Sequence, residues 1–275
     1  MTLQIRNAEN VELLRTDFQH RDEPNFAWKS AVAAFQALPG LRGFWPCSTL
    51  RYTAGNQVVD LSGQQNDLTN INASQFGYYD LAPIVTFDGV NQYLDRVDGG
   101  AANWGDILGT EAFITPAQRG MTFGGWFNID SADIGNRVCL NTKGFAGVGT
   151  TSWWFEKQAS DFLLFMVGTG AALPGIAGAA TVTFDTWLFL VCRFVPATSL
   201  DLIVGEAGAL TQVQQGAGVP AALLDTNVSF NIGSYGGGAG LWMKGSTSLH
   251  FLCATALPDV TIFSLYQQTR RMFYV

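Results

Sequence analysis

The sequence predicts an all-β fold, in which two antiparallel sheets form a jelly-roll sandwich, and three observations support this. A run of aromatic and β-branched residues at 187–194 is typical of a strand, and after a turn at 196–199 a second apolar run returns as its partner. From residue 41 onward, strand-like segments follow one another through turns without helices between them, as in antiparallel sheets. Charged residues make up only 13% of the composition, and 31 of the 275 residues are glycine, which suits a sandwich with long loops.

The first 40 residues differ from the rest and are predicted to form an N-terminal arm with a helix, followed by the sandwich at 41–275. Charge is concentrated in the first 23 positions, and residues 24–38 then have helical periodicity. The apolar positions of this helix are Phe26, Ala27, Ala31, Ala34, Phe35 and Leu38. Two interpretations stay open: the helix packs on its own sandwich, or it docks onto another subunit. We take the second as a working hypothesis, because the sandwich is complete without the arm.

The elements of the sandwich are predicted from periodicity and turn residues. A short strand at 41–46 and a polar turn at 60–68 come first, and a tight Asp88-Gly89 turn then joins two strands within 84–94. A long loop at 99–120 and a flexible Gly/Ala-rich loop at 168–180 are expected. The remaining strands are predicted at 121–129, 137–141, 152–157, 162–167, 187–194, 200–204, 228–232 and 246–253. Because both faces of the strand at 187–194 are largely apolar, it is expected either to be covered on both sides or to line a concave surface.

Several short motifs occur in order along residues 41–268. They are Gly43-Phe44-Trp45-Pro46; Asp60, Ser62, Gly63, Asn66 and Asp67; Phe87, Asp88, Gly89, Tyr93 and Leu94; 121–127 with Trp126; 187–194; Ile232-Gly233; and 255–258. This order resembles the laminin-G-like, concanavalin A-like jelly roll of bacterial and phage proteins. The resemblance implies a fold that hosts lectins, adhesion modules, glycosidases and virion proteins, so function has to be argued from the site.

Charge and apolar patterning exclude some functions and predict the state of the cysteines. The net charge of −7 argues against a nucleic-acid partner, because phosphate binding needs a basic face. No apolar run is long enough to predict a membrane helix, and the first residues do not predict a secretory signal. Buried free thiols are predicted for Cys47, Cys139, Cys192 and Cys253.

Catalysis is not expected. The sequence has no Gly-x-Ser-x-Gly motif and only two histidines, so nucleophilic catalysis has no support. Glycosidases use two carboxylates that flank the scissile bond. Glu156 and Asp161 are the nearest acidic pair in a strand context, and we expect them to be solvated charges on either side of a hairpin turn.

Calcium is the one metal that the sequence suggests, and no other cofactor is expected. Asp60, Asn66 and Asp67 could supply the oxygen ligands that Ca²⁺ prefers, and the resemblance implies calcium in many relatives. The alternative, which we favour, is a network of Asx turns without an ion. The acidic pair that the family carries on its last long strand is replaced here by Ser248-Leu249.

Aromatic side chains are the remaining candidates for ligand binding, because indole and phenol rings stack on sugars or anchor protein interfaces. The candidates are Trp104, Trp153, Trp154, Tyr235 and Trp242. Trp153 and Trp154 are adjacent in a strand and point to opposite faces, so one of the two is expected in the core.

Two functional classes follow. The first is a non-enzymatic structural or interaction protein, specifically a capsid-decoration or tail component located in a virion, with the N-terminal arm contacting other virion proteins or a second copy. The alternative is a carbohydrate-binding lectin or adhesin that acts outside the cell on a cell-surface glycan. Neither class requires a membrane or nucleic-acid partner.

Overall fold

The structure, a computed structural model, describes residues 22–47, 56–97, 120–145, 147, 149–224, 226, 228–236 and 238–275, with the backbone alone at 22–26 and 177–180. Within these ranges the chain forms two antiparallel sheets and two α-helices, so the predicted two-sheet sandwich is confirmed. Residues 1–21 of the predicted arm, which spans 1–40, lie outside them. No described helix is long and apolar enough to cross a membrane.

The elements have these bounds. The helices are α1 (Asp22–Gln36) and α2 (Asp259–Thr269). The strands are β1 (Leu41–Trp45), β2 (Gln57–Val58), β3 (Leu68–Ile71), β4 (Gln75–Tyr79), β5 (Ala82–Asp88), β6 (Tyr93–Arg96), β7 (Met121–Ile129), β8 (Val138–Gly144), β9 (Thr151–Lys157), β10 (Phe162–Val167), β11 (Gly175–Thr181), β12 (Trp187–Val195), β13 (Ser199–Glu206), β14 (Ala209–Gln215), β15 (Phe230–Ile232) and β16 (Lys244–Cys253).

Two eight-stranded sheets result. Sheet A has the order β14-β13-β12-β7-β16-β5-β4, with β1 also paired to β16, and sheet B has the order β11-β10-β9-β8-β15-β6-β3-β2. The Asp88-Gly89 turn therefore joins β5 of sheet A to β6 of sheet B, rather than two strands of one hairpin. The predicted flexible loop at 168–180 is also wrong in its second half, because β11 pairs with β10 there.

Strand β12 shows how the sandwich is built. It pairs with β13 in the predicted hairpin and with β7 on its other side. Leu188, Leu190 and Phe194 lie in the core between the two sheets, whereas Trp187 and Phe189 lie in a second core on the other face of sheet A. The strand is thus covered on both sides.

The second core is closed by the two helices. On α1, Phe35 is fully buried, and its ring centroid lies 4.7 Å from that of Phe44 and 5.4 Å from that of Phe251. On α2, Tyr266 stacks on Trp126 at 5.8 Å. Because the apolar face of α1 covers its own sheet, the hypothesis that this face docks onto another subunit is wrong.

Helix α2 was not predicted from the sequence, although its pattern is visible there. Its buried residues are Ile262, Leu265, Tyr266 and Thr269, a helical spacing.

An ion-pair network fixes the first turn of α2 to sheet A. Arg193 of β12 donates from Nε to Asp201 at 2.7 Å and from Nη1 to Asp259 at 2.6 Å.

The four cysteines are buried and free, as predicted.

His250 is also buried, in an irregular stretch of β16 between Ser248 and Phe251. A Cβ at Gly125 would come within 2.7 Å of His250 Nδ1, so only glycine fits opposite this ring. The other ring nitrogen, Nε2, is hydrogen-bonded to the hydroxyl of Thr247. Burial lowers the pKa of His250 to about 3.

The packing of α1 generates a stability prediction. Phe35→Ala should lower the free energy of unfolding by about 3 kcal/mol, because it removes a fully buried ring and leaves a cavity between α1 and sheet A. Urea denaturation of the purified protein measures the change. Val260→Ala, at a side chain that is 73% exposed, is the control and should change stability by less than about 0.5 kcal/mol. Equal stability of Phe35→Ala and the parent would show that α1 is not part of the fold.

The burial of His250 predicts a pH dependence. The folded pKa lies below the ordinary value of 6.5, so the unfolded chain binds a proton that the folded chain does not. The stability that the neutral, buried His250 contributes is fully present above pH 6.5. It is lost as the pH falls from 6.5 toward 3, and the free energy of unfolding then changes by up to about 1.4 kcal/mol per pH unit. His250→Gln should remove this slope between about pH 6 and pH 4 in urea denaturation. Parallel curves for the variant and the parent would contradict the assignment.

Candidate functional site

The outer face of sheet B is the one sheet face that the described helices leave uncovered. A row of side chains in register crosses this face from strand to strand. Its members are Thr69, Asp95, Asn231, Thr142, Trp154 and Met166. They point outward because their chain neighbours Leu94, Ile232, Trp153 and Phe155 lie in the core between the sheets.

Trp153 and Trp154 divide as predicted, one into the core and one onto the outer face. Trp153 is fully buried, and its indole N–H donates to Asn141 at 2.8 Å, so its prediction as a ligand-binding residue is wrong. Trp154 is 7% exposed on the outer face, and its indole N–H has no acceptor among the described residues. An unpaired buried donor costs about 1–3 kcal/mol.

Three stacked rings, which we call the aromatic patch, lie on this face: Phe145, Trp154 and Tyr235. The ring of Tyr235 stacks on Trp154 at 4.6 Å and on Phe145 at 5.4 Å. Phe145 is 46% exposed, and Tyr235 is half-buried. The structure therefore brings together two predicted residues, Trp154 and Tyr235. The sequence analysis missed Phe145. The available signal was one aromatic residue in a glycine-rich loop.

Tyr235 reaches Trp154 because the chain leaves sheet B after β15 and returns at residue 241. Gly233 N–H donates to Leu140 O before the excursion, and Cys139 N–H donates to Leu241 O after it. Within this loop Gly236 has φ +53°, and a Cβ there would lie 2.4 Å from the ring of Phe145. Glycine at this position is what allows the loop to pack against the patch.

An ion pair borders the patch. Arg137 donates from Nη2 to both carboxylate oxygens of Glu156, at 3.1 and 2.8 Å, and its guanidinium carbon lies 5.8 Å from the centroid of the Trp154 ring. The Glu156 side chain is fully buried, whereas that of Arg137 is 48% exposed. The expectation that Glu156 is a solvated charge is therefore wrong. Asp161 is paired as well, because it accepts a hydrogen bond from Lys157 Nζ at 2.8 Å, which lowers its pKa.

A second polar pair lies in the same row as Trp154. Asn231 donates from Nδ2 to Asp95 Oδ1 at 2.7 Å. Burial raises the pKa of Asp95, against the opposing effect of this hydrogen bond. Both residues are buried, and β8 lies between Asn231 and Trp154, so this pair is a neighbour of the aromatic patch and not a member of it.

The proposed calcium ligands form a hydrogen-bonded turn. Asp60 Oδ1 accepts from the N–H groups of Phe44 and Ser62, both at 2.8 Å, and Oδ2 accepts from Asn66 N–H at 3.0 Å. Asp67 Oδ1 accepts from Asp60 N–H at 2.8 Å. A calcium ion would have to replace several of these bonds. Within the described ranges no group of three or more His, Cys, Asp and Glu side chains is positioned to hold a metal, and the ion-free turn favoured from the sequence stays a prediction.

Of the two remaining candidates, only Trp242 is described. Trp242 is half-buried next to Leu241, and its indole N–H has no acceptor among the described residues. Trp104 lies outside the described residues.

No known protein family matches the sequence, and no curated protein does. Solved structures do match. The receptor-binding domain of botulinum neurotoxin mosaic serotype C/D has a TM-score of 0.60 at 8% identity, over 83% of this chain and 50% of that one. The botulinum neurotoxin serotype D ligand-binding domain in complex with N-acetylneuraminic acid has a TM-score of 0.61 at 9% identity, over 86% and 52%. Trypanosoma rangeli sialidase in complex with sialic acid has a TM-score of 0.57 at 15% identity, over 94% and 40%.

These similarities concern the fold alone, because the identities are low. The chain spans about half of each toxin domain and 40% of the sialidase chain. The shared architecture is a β-sandwich of the jelly-roll type, which agrees with the fold predicted from the sequence. The more specific laminin-G-like label stays a prediction.

Proposed function

We propose that this chain is a non-catalytic glycan-binding module and that the sugar stacks on the aromatic patch. The observation that carries the proposal is the three-ring stack of Phe145, Tyr235 and Trp154 on the outer face of sheet B, with Phe145 46% exposed. The C–H groups of a pyranose ring form an apolar face that packs on an aromatic ring. Binding of this kind places a small apolar surface among polar groups.

The polar groups around the patch suit the hydroxyls of a sugar. The half-exposed guanidinium of Arg137, whose carbon lies 5.8 Å from the centroid of the Trp154 ring, offers N–H donors beside the patch. The indole N–H of Trp154 has no acceptor among the described residues, but it is buried, so a ligand oxygen could accept from it only after neighbouring side chains move. Because an unpaired buried donor is costly, a site that contains one favours ligands that supply a hydrogen-bond acceptor for it.

Two further observations support binding without catalysis. Glu156, whose partner Arg137 borders the patch, is fully buried and bound through both oxygens to Arg137, whereas glycoside hydrolysis needs carboxyl groups that act on the substrate. The similarity to a toxin ligand-binding domain crystallised with N-acetylneuraminic acid supports a sugar as the ligand class. The virion role has no observation of its own in the structure and stays a prediction.

The proposal predicts the effect of removing the two accessible rings. Tyr235→Ala and Phe145→Ala should each weaken glycan binding about tenfold, because each removes a stacking surface of the patch, and tenfold corresponds to about 1.4 kcal/mol. Glycan-array screening of the parent finds a bound glycan, and isothermal titration with that glycan measures the two variants.

Phe263→Ala is the matched control, since Phe263 is 48% exposed on α2, on the other side of sheet A. It should bind like the parent. Parent-like binding by both patch variants would move the site elsewhere, and the absence of binding to any glycan of the array would refute the function.

A further inference from the structure

The charge of the outer face of sheet B bears on which sugars can bind there. Anionic sugars, such as sialic acids and uronic acids, are bound through a cation that is available to their carboxylate. Within the described ranges, four cations lie on or next to the strands of sheet B: Arg96, Arg137, Lys143 and Lys157.

Three of these cations lie on the inner side of the sheet. Each is in register with a residue of the core: Arg96 with Phe230, Lys143 with Trp153 and Lys157 with Leu163. The two lysines are fully or almost fully buried, and their ammonium groups donate to backbone carbonyls. None of the three is directed toward the aromatic patch.

The fourth cation, Arg137, reaches the outer face, but a carboxylate already occupies it. Both oxygens of Glu156 accept from its Nη2, so the pair is neutral in sum. A ligand carboxylate that accepts from the other N–H groups of Arg137 therefore meets a cation whose charge Glu156 already neutralises. Its attraction to this neutral pair is weaker than its attraction to a free guanidinium would be.

The remaining charge on this face is negative. Asp95 lies in the same row as Trp154, is 8% exposed and accepts a hydrogen bond from the uncharged amide of Asn231. The whole chain carries a net charge of −7. An anionic sugar approaching the patch therefore meets no uncompensated cation among the described residues of this face, and the net negative charge of the chain repels it at long range.

From this charge pattern we infer that the patch selects neutral glycans, ending in a hexose or an N-acetylhexosamine, and discriminates against sialylated and other anionic ones. This inference rests on the proposed glycan-binding function. It differs from what the ligand-bound neighbours would suggest, since those structures contain sialic acid.

Matched glycan pairs test the selectivity. Lactose with 3′-sialyllactose, and N-acetyllactosamine with its 3′-sialylated form, are titrated into the protein at low and at physiological salt. Each neutral member that binds should bind at least about tenfold more tightly than its sialylated counterpart, with the larger difference at low salt. Tighter binding of the sialylated members would overturn the inference while leaving the glycan-binding function intact. If neither member of any pair binds and the array shows no ligand, both the selectivity and the glycan-binding function are refuted.

Glu156→Gln tests the physical cause. This substitution keeps the size of the side chain and a hydrogen-bond acceptor for Arg137, but it leaves the guanidinium charge uncompensated. The ratio of sialylated to neutral affinity should rise at least about fivefold. Glu206→Gln makes the same charge change on β13 of sheet A and should leave the ratio unchanged. An unchanged ratio in Glu156→Gln, or an equal rise in both variants, would contradict the assignment of selectivity to the Arg137–Glu156 pair.

Discussion

Strand β12 buries alternate side chains in two different cores, and this two-sided burial shapes the rest of the structure. Leu188 and Leu190 pack between the sheets, while Trp187 and Phe189 need a second cover on the far side of sheet A. Leaving such surface in water costs about 25 cal/mol per Å². The helices α1 and α2 provide that cover, and the Arg193–Asp259 ion pair holds the first turn of α2 in place. The chain is therefore a three-layer structure of helices, sheet A and sheet B.

This arrangement determines where a ligand site can form. Sheet A is enclosed on both faces, and the middle of the outer face of sheet B is buried as well, so among the described residues of that face the aromatic patch with the exposed Phe145 is the surface considered for contacts. Apolar rings on that face are not needed to close a core. The rings of Phe145, Tyr235 and Trp154 stack there beside a glycine-containing loop, and the Arg137–Glu156 pair lies next to them. A small aromatic surface among compensated charges fits an uncharged, partly apolar ligand such as a neutral sugar.

The sequence predicted the features that depend on local periodicity and missed those that depend on contacts between distant segments. Alternation correctly separated Trp153 from Trp154 and identified the β12–β13 hairpin. It could not assign β5 and β6 to different sheets, because pairing is decided by distant strands. The strand β11 escaped prediction because glycine and alanine have low strand propensity. The contact of Tyr235 with Trp154 and Phe145 depends on how the loop after β15 folds back, which no local pattern encodes.

The central claim is that sugar binds on the outer face of sheet B, at the aromatic patch. A crystal structure of the protein with the best neutral glycan from array screening tests this most directly. The account predicts a pyranose ring with its C–H face about 4 Å from the ring of Phe145 or Tyr235. It also predicts an unbroken Arg137–Glu156 pair beside the sugar. A sugar bound elsewhere with the patch empty, or one whose carboxylate displaces Glu156 from Arg137, would contradict it.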